Sequence, residues 1–347
     1  MMMIFKFKNK VIKNFGKPYI IAEACINHQG ELAIAQEMVY KAKAANCDAI
    51  KFQIHVLDDE MLKDTPISQN FGKKTLYEAL DETNLSISDL KKLKKLCDKI
   101  SIDFLCTPFS FKSCDQLVDE IGVDVIKVGS GECTNLPLQD HISNKKKPMI
   151  VSTGMTELWE VRETFNFLKK KKTNFALMHC VSAYPCPYEI MNIGLIEKYI
   201  KMFKVPIGLS DHTPTIYAAL AAVSKGACII EKHFTLDKNM EGPDHKSSID
   251  TKQLFDLVEG CNAVYKSMGS VKKINKQEKE IISWARESVV SIHNIKKGEV
   301  FSNKNISVKR PSPGKENIPA KDLSKIFGKK AKHSIDKNSQ LLKSDVE

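Results

Sequence analysis

The stretch PIGLSDHTPTIYAALAAVSKGACIIEKH, residues 206–233, decides the fold. Two short apolar runs, Pro206–Leu209 and Ala227–Glu231, read as strands. Between them, Pro214 suits a first helical turn, where its missing N–H and fixed φ do no harm. Tyr217 to Val223 continues as an apolar run, far shorter than the roughly 18 residues of a membrane helix. A strand, a helix and a second strand make a parallel crossover unit, and strands apolar on both faces belong to a sheet covered on both sides. The polar residues Ser210-Asp211-His212 follow the first run, and Glu231-Lys232-His233 close the second.

Working back towards the N-terminus, six more such runs recur: Tyr19–Ala24, Ala49–Ile54, Ile102–Cys106, Val125–Val128, Pro148–Ser152 and Phe175–Cys180. Amphipathic segments separate most of them. Leu32, Ala35, Met38, Val39 and Ala42 share one helical face. So do Leu90, Leu93, Leu96 and Cys97, and later Leu254, Leu257, Val258, Cys261, Val264 and Tyr265. Ser86 or Ser88 fits the cap of the second helix and Asp250 that of the last. Eight strands alternating with helices over roughly 250 residues predict an α/β chain folded as a closed (β/α)8 TIM barrel. An open doubly wound sheet is the alternative, weakened because no GxGxxG or GxxxxGK[ST] follows any run. The segment His55–Asn84 is long for a loop after a barrel strand, and such loops usually carry function.

Residues 1–270 are therefore assigned to the barrel, 271–285 to a charged linker and 286–347 to a small β-rich domain. That last part contains an echo. His293-x-Ile295-x-Lys297-Gly298-x-x-Phe301 returns as His333-x-Ile335-x-Lys337-Asn338-x-x-Leu341. Glycine and asparagine are the residues that best tolerate positive φ, so both copies predict the same tight turn in a two-fold pseudo-symmetric unit.

Composition sets the outer bounds. The chain has 347 residues, 42% hydrophobic and 27% charged, which are globular values. Residues 286–347 carry 14 Lys/Arg against 7 Asp/Glu and so hold most of the net charge of +11. Their lysines are scattered, with only Phe301 and Phe327 available to stack, so nucleic acid is not the expected partner. Lys169 to Lys172 read as the solvated end of a helix. Met1 to Lys10 lack the apolar core of a secretory signal. The ten cysteines form no CxxC pair and read as reduced core thiols of a cytoplasmic protein.

A barrel keeps its chemistry at the C-terminal ends of its strands. There the sequence places Glu23, Lys51 and Gln53, Thr107-Pro108-Phe109, Lys127 with Ser130-Gly131-Glu132, Ser152-Thr153-Gly154, His179 with Ser182 and Tyr184, and the two triplets already quoted. Eight polar strand ends in register point to one polar pocket. Lys51 and Lys127 inside a barrel need an anion, either a phosphate or carboxylate ligand or an internal partner such as Glu132. Hydroxyls and N–H groups at Ser130-Gly131 and Ser152-Thr153-Gly154 would complete the cradle. His212 and His233 end adjacent strands and together suit Mn²⁺, Fe²⁺ or Zn²⁺, whereas either alone would be a satisfied polar histidine. His179 sits deeper and fits a core hydrogen bond as well as a site.

The ordered motifs Ala22-Glu23-x-x-Ile26-Asn27-His28-x-Gly30, Ile50-Lys51-x-Gln53-x-His55, Lys127-x-Gly129-Ser130-Gly131-Glu132, Ser152-Thr153-Gly154-Met155, Gly208-Leu209-Ser210-Asp211-His212-Thr213, Glu231-x-His233-Phe234-Thr235 and Gly242-Pro243-Asp244 resemble those of the sialic acid (nonulosonate) synthase family. Val308-Lys309-Arg310-Pro311 resembles that family's antifreeze-like SAF domain. The resemblance implies a barrel that condenses phosphoenolpyruvate with an N-acetylated sugar and water, giving a nine-carbon 2-keto acid and phosphate. It implies His212 and His233 as ligands of Mn²⁺ or Mg²⁺, which would polarise the sugar aldehyde. Lys51, Lys127, Ser130, Ser152 and Ser210 match positions that hold phosphoenolpyruvate. Glu23 and Glu132 match acidic positions at the reacting centre and sugar, and Gln53, Thr107, Tyr184 and Asp244 match sugar or intermediate contacts. Arg310 matches the arginine that one subunit's SAF domain lays over its partner's barrel, so the resemblance implies a domain-swapped homodimer. Ser182 stands where several N-acetylneuraminate synthases carry Asn. His179 and the Gly242–Lys246 segment differ from the pseudaminate branch, which favours an N-acetylmannosamine or legionaminate-type sugar. Another phosphoenolpyruvate-dependent keto sugar acid synthase is the more distant alternative.

Overall fold

The computed structural model describes residues 4–67, 75–242, 244–312 and 314–347. Part of the His55–Asn84 segment, Met1 to Met3 at the start of the chain, and Pro243 inside the Gly242–Asp244 motif lie outside the described residues. The chain divides into two compact units, Met1–Gly269 and Ser270–Glu347. No helix among the described residues is long and apolar enough to cross a membrane.

The first unit opens with an antiparallel hairpin, β1 (Phe5–Phe7) and β2 (Lys10–Ile12). Eight parallel strands follow: β3 (Tyr19–Glu23), β4 (Ala49–Ile54), β5 (Asp103–Pro108), β6 (Ile126–Val128), β7 (Met149–Ser152), β8 (Phe175–Cys180), β9 (Ile207–Asp211) and β10 (Ile229–His233). Each pairs with its sequence neighbour, and β10 pairs with β3, so the ring closes. This is the TIM barrel expected from the sequence. Ser86 and Asp250 cap their helices, each accepting from the N–H three residues on. The helix before β10 begins at Tyr217, so Pro214 lies in the turn ahead of it and not in its first turn. Helices Leu57–Glu60 and Leu76–Thr83 occupy parts of the long segment after β4.

Strand parity separates two cores. Ile20, Ala22, Ile50, Phe52, Phe104, Ile126, Val151 and Leu209 pack with the surrounding helices. Residues one step away, Tyr19, Ile21, Ala49, Leu105, Ile150, Met178 and Ile229, form a second cluster with Phe5, Phe7 and Ile12 of the hairpin. The hairpin therefore plugs one end of the barrel's interior. Continuing the inner parity beyond this layer brings up Glu23, Lys51, Thr107, Lys127, Ser152, Ser210 and Glu231. The period of two thus changes the interior from oil to charge within one strand step.

The plug is tied by Asp103, the first residue of β5. Its carboxylate accepts from Tyr19 Oη at 2.6 Å, from Lys8 Nζ at 3.4 Å and from Lys10. Burial alone would raise this carboxyl, but the bonds from Lys10 and Tyr19 outweigh it and hold Asp103 below the usual range. A depressed folded-state pKa stabilises above the unfolded value and fades as pH falls through the folded one. Asp103→Asn is expected to lower stability by about 1–3 kcal/mol at neutral pH. In urea unfolding, the gap to wild type should narrow as pH drops below about 4. A gap that stays constant with pH would contradict the assignment.

In the second unit, helix Lys276–Ala285 occupies much of the charged connector. β11 (Ser288–Ser291) and β12 (Ile306–Lys309) pair antiparallel. The echo is structural. Gly298 and Asn338 have φ of 79° and 62°. Gly298 N donates to Ala331 O at 2.7 Å, and Asn338 N donates to Ser291 O at 2.9 Å, so the same bond is made by positions offset equally in the two copies. Ile295 and Ile335 bond each other across the pseudo-axis.

Candidate active site

The strand ends converge on a cavity of about 510 Å³ in the first unit. Its floor is a lattice of two ammonium and two carboxylate groups. Lys51 Nζ lies 2.6 Å from Glu23 Oε2, 3.8 Å from Glu231 Oε2, and donates to Thr107 Oγ1 at 3.2 Å. Lys127 Nζ donates to Ser152 Oγ at 2.6 Å and to Val128 O at 3.1 Å, and lies 3.7 Å from Glu231 Oε1. Ser210 Oγ donates to Glu231 Oε1 at 2.9 Å. All of these residues are buried.

Burial makes proximity decisive. It works against the charge on Lys51, but Glu23 and Glu231 outweigh it and hold that ammonium above its ordinary value. Lys127 has no carboxylate so close, and burial pulls it down. Burial raises Glu23, helped by Glu231 and opposed by Lys51. Burial also pushes Glu231 upward, yet Lys127 and Lys51 together bring it below the usual range. The floor therefore favours an ionised Glu231 and a Glu23 that readily holds a proton.

Above the floor, His212 Nδ1 meets Val181 O at 2.8 Å. A carbonyl only accepts, so Nδ1 carries a proton, which leaves Nε2 as the ligand atom of the neutral ring. The His212 and His233 rings stand 5.1 Å apart at 70°, and Tyr184 packs on His212 at 4.2 Å. The intervening residues face outward and pin the two strand ends: Lys232 Nζ contacts Asp211 Oδ2 at 2.9 Å, both side chains fully buried. The thiol of Cys25, the imidazole of His233 and the carboxylate of Asp244 offer ligand atoms within 4.8 Å of one another. His233 Nδ1 is buried and has no hydrogen-bond partner among the described residues. A sulfur–nitrogen–oxygen donor set with an orphaned imidazole fits a divalent cation.

The cavity gathers Glu23, Lys51, Gln53, Thr107, Lys127, Ser130, Ser152, Ser182, Tyr184, Ser210, His212, His233 and Asp244 from the sequence reading. Ser130 Oγ accepts from Gly154 N at 3.1 Å, and a β-carbon at Gly154 would collide with the Ser130 and Ser182 hydroxyls. Glu132 is not among the lining residues. It sits in the turn Ser130–Glu132 and its carboxylate accepts from Asn135. Lys127 accordingly pairs with Glu231 and not with Glu132. Arg310 belongs to the second unit and is exposed. His179 is a buried core residue bonded to Met191 O at 2.7 Å. Glu231 is a polar strand end of the pocket that carries no role in the sequence reading, and Cys25 is read there only as a core thiol; both line the cavity, and the parity that turns His233 inward also turns Glu231 inward.

A closed parallel barrel with buried, paired charges and potential metal donors at the C-terminal mouth defines a TIM-barrel enzyme. The chain belongs to the NeuB family, whose pattern matches residues 38–273, and a SAF domain matches residues 286–347. It is similar to N,N'-diacetyllegionaminic acid synthase of Campylobacter jejuni, at 40% identity over 90% of this chain and 95% of that one. It is 30% identical to N-acetylneuraminate-9-phosphate synthase of Homo sapiens, over 95% and 92% of the two chains. The crystal structure of N-acetylneuraminic acid synthetase from Leptospira borgpetersenii, solved with citrate, superimposes with a TM-score of 0.71 at 32% identity, covering 81% of this chain and 96% of that one. The chain is thus a synthase of the nonulosonate class.

Proposed function

We propose that the protein condenses phosphoenolpyruvate with an N-acetylated sugar aldehyde and water, giving a nine-carbon 2-keto sugar acid and phosphate. The observation that carries this reading is the buried Lys51–Glu23–Glu231–Lys127 floor, which sets two ammonium groups at the base of the cavity. Lys51 and Lys127 anchor the carboxylate and phosphate of phosphoenolpyruvate, assisted by Ser130, Ser152 and Ser210. Its C3 bonds to the aldehyde carbon, water adds at C2, and the C2–O bond breaks to release phosphate. Glu23, poised to hold or give up a proton, is placed to serve that water or the leaving oxygen. Gln53, Thr107, Ser182, Tyr184 and Asp244, which line the cavity, are assigned to sugar or intermediate contacts. His212 and His233, with Asp244 beside them, would hold a divalent ion such as Mn²⁺ or Mg²⁺, which supplies Lewis acidity at the aldehyde oxygen.

The working unit is a homodimer in which the 286–347 domain, joined through 271–285 to the 1–270 barrel, brings Arg310 over the partner's cavity. The enzyme acts in the cytoplasm, consistent with ten free, buried cysteines. Two sugars remain in contention. The legionaminate relative at 40% identity favours a 2,4-diacetamido-2,4,6-trideoxymannose, and the human relative at 30% favours an N-acetylmannosamine type. Phosphate release with each, and with arabinose 5-phosphate, tests the reading. Release is expected with an N-acetylated hexose and a product of matching nine-carbon mass. Release only with arabinose 5-phosphate would move the protein to another keto acid synthase.

A further inference from the structure

The metal donors expected from sequence are two imidazoles. The geometry adds sulfur. Cys25 stands just beyond β3, 8% exposed, with φ of 44°, a left-handed conformation that side chains disfavour. His233 ends β10, is 9% exposed, and has a buried Nδ1 without a hydrogen-bond partner among the described residues, 3.8 Å from Asp244 Oδ2. Asp244 follows on the loop beyond β10, and all three residues line the cavity. Their ligand atoms lie within 4.8 Å of one another, so modest side-chain rotation brings them onto one ion. None of the ten cysteines is in a disulfide, and the Cys25 thiol donates to the Asp244 carboxylate, so two of the three ligand atoms already face each other.

We propose that Cys25 is a direct metal ligand beside His233 and Asp244, and that its thiolate makes the site prefer a thiophilic divalent ion (Zn²⁺, Co²⁺ or Fe²⁺) over Mg²⁺ or Mn²⁺. This rests on the divalent-ion part of the proposed synthase reading and sharpens it. Thiolate is a soft ligand; Mg²⁺ and Mn²⁺ favour carboxylate, carbonyl and water oxygens. On binding, the S–H proton leaves to solvent and a sulfur lone pair forms the metal bond, with no change of oxidation state. The family's expected pair, His212 and His233, would discriminate less because both donors are nitrogen.

The test is an anaerobic Co²⁺ titration of the full-length chain, read by absorption and calorimetry. Wild type should show a near-ultraviolet thiolate-to-cobalt band alongside the visible cobalt bands. Cys25→Ser should lose the ultraviolet band and at least about tenfold in Co²⁺ affinity, while Mn²⁺ affinity changes by less than about threefold. Cys25→Gly should behave likewise, and glycine accepts the left-handed backbone, so loss of the band there is not loss of fold. Cobalt bound without the ultraviolet band overturns the proposal. So does a band surviving in both variants, or no Co²⁺ binding by wild type at millimolar ion. Phosphate release is followed in parallel. Release without the sulfur band removes the thiolate and leaves the synthase; the band without release from any sugar does the reverse.

Discussion

Lys51→Met is expected to lower turnover by about 10²–10³-fold and stability by about 3–5 kcal/mol. The two losses have different origins. Lys51 is the nearest cation to Glu23 at 2.6 Å and also faces Glu231 at 3.8 Å. Methionine fills much of the stem's volume, so little of the stability loss is cavity. It comes from two buried carboxylates left with Lys127 alone, which lies 3.7 Å from Glu231. Glu23, already raised by burial, would then take up a proton to survive. The double variant Lys51→Met/Glu23→Gln removes the stranded acid together with its partner. It should recover most of the stability and none of the turnover, because the anion-holding ammonium is still missing. Urea unfolding and steady-state phosphate release measure the two quantities separately. If the double variant stays as unstable as the single one, the floor is not held by this ion pair.

The barrel was legible because its signal is local. Strands covered on both faces are apolar at every position, and all eight runs found in the sequence became strands within a residue or two. The caps at Ser86 and Asp250 and the turns at Gly298 and Asn338 were equally local. Polar residues at strand ends named most of the cavity wall. The failures are long-range. Glu231 was read only as the start of a polar triplet, and its role emerges from the β9–β10 register that sets it against Ser210. Cys25 resembled any apolar core thiol until folding brought it to His233 and Asp244 from a distant part of the chain. Glu132 matched a motif, but its carboxylate is engaged by Asn135 outside the cavity lining. Motif order identifies which residues meet; it does not determine which atoms face each other.

His212→Ala and His233→Ala are both expected to lower turnover by about 10²–10³-fold, yet they should differ in stability. His212 Nδ1 is bonded to Val181 O at 2.8 Å, and its ring is covered by Tyr184. Truncation leaves that carbonyl without its donor and should lower stability by about 1–3 kcal/mol. His233 Nδ1 is buried with no partner among the described residues, so the fold already carries an unsatisfied polar group there. Its removal gives up ring packing but relieves that penalty, and the net change should stay within about 1 kcal/mol. The same contrast should appear in metal binding. Loss of His233, which neighbours Cys25 and Asp244, should weaken Co²⁺ binding by at least about 10–100-fold. Loss of His212 should weaken it less, since Cys25, His233 and Asp244 keep their ligand atoms within 4.8 Å of one another. Calorimetric titration and denaturant unfolding of both variants read this pattern. Equal destabilisation, or near-normal turnover in both, would mean that these imidazoles are structural and that the chemistry lies elsewhere in the cavity.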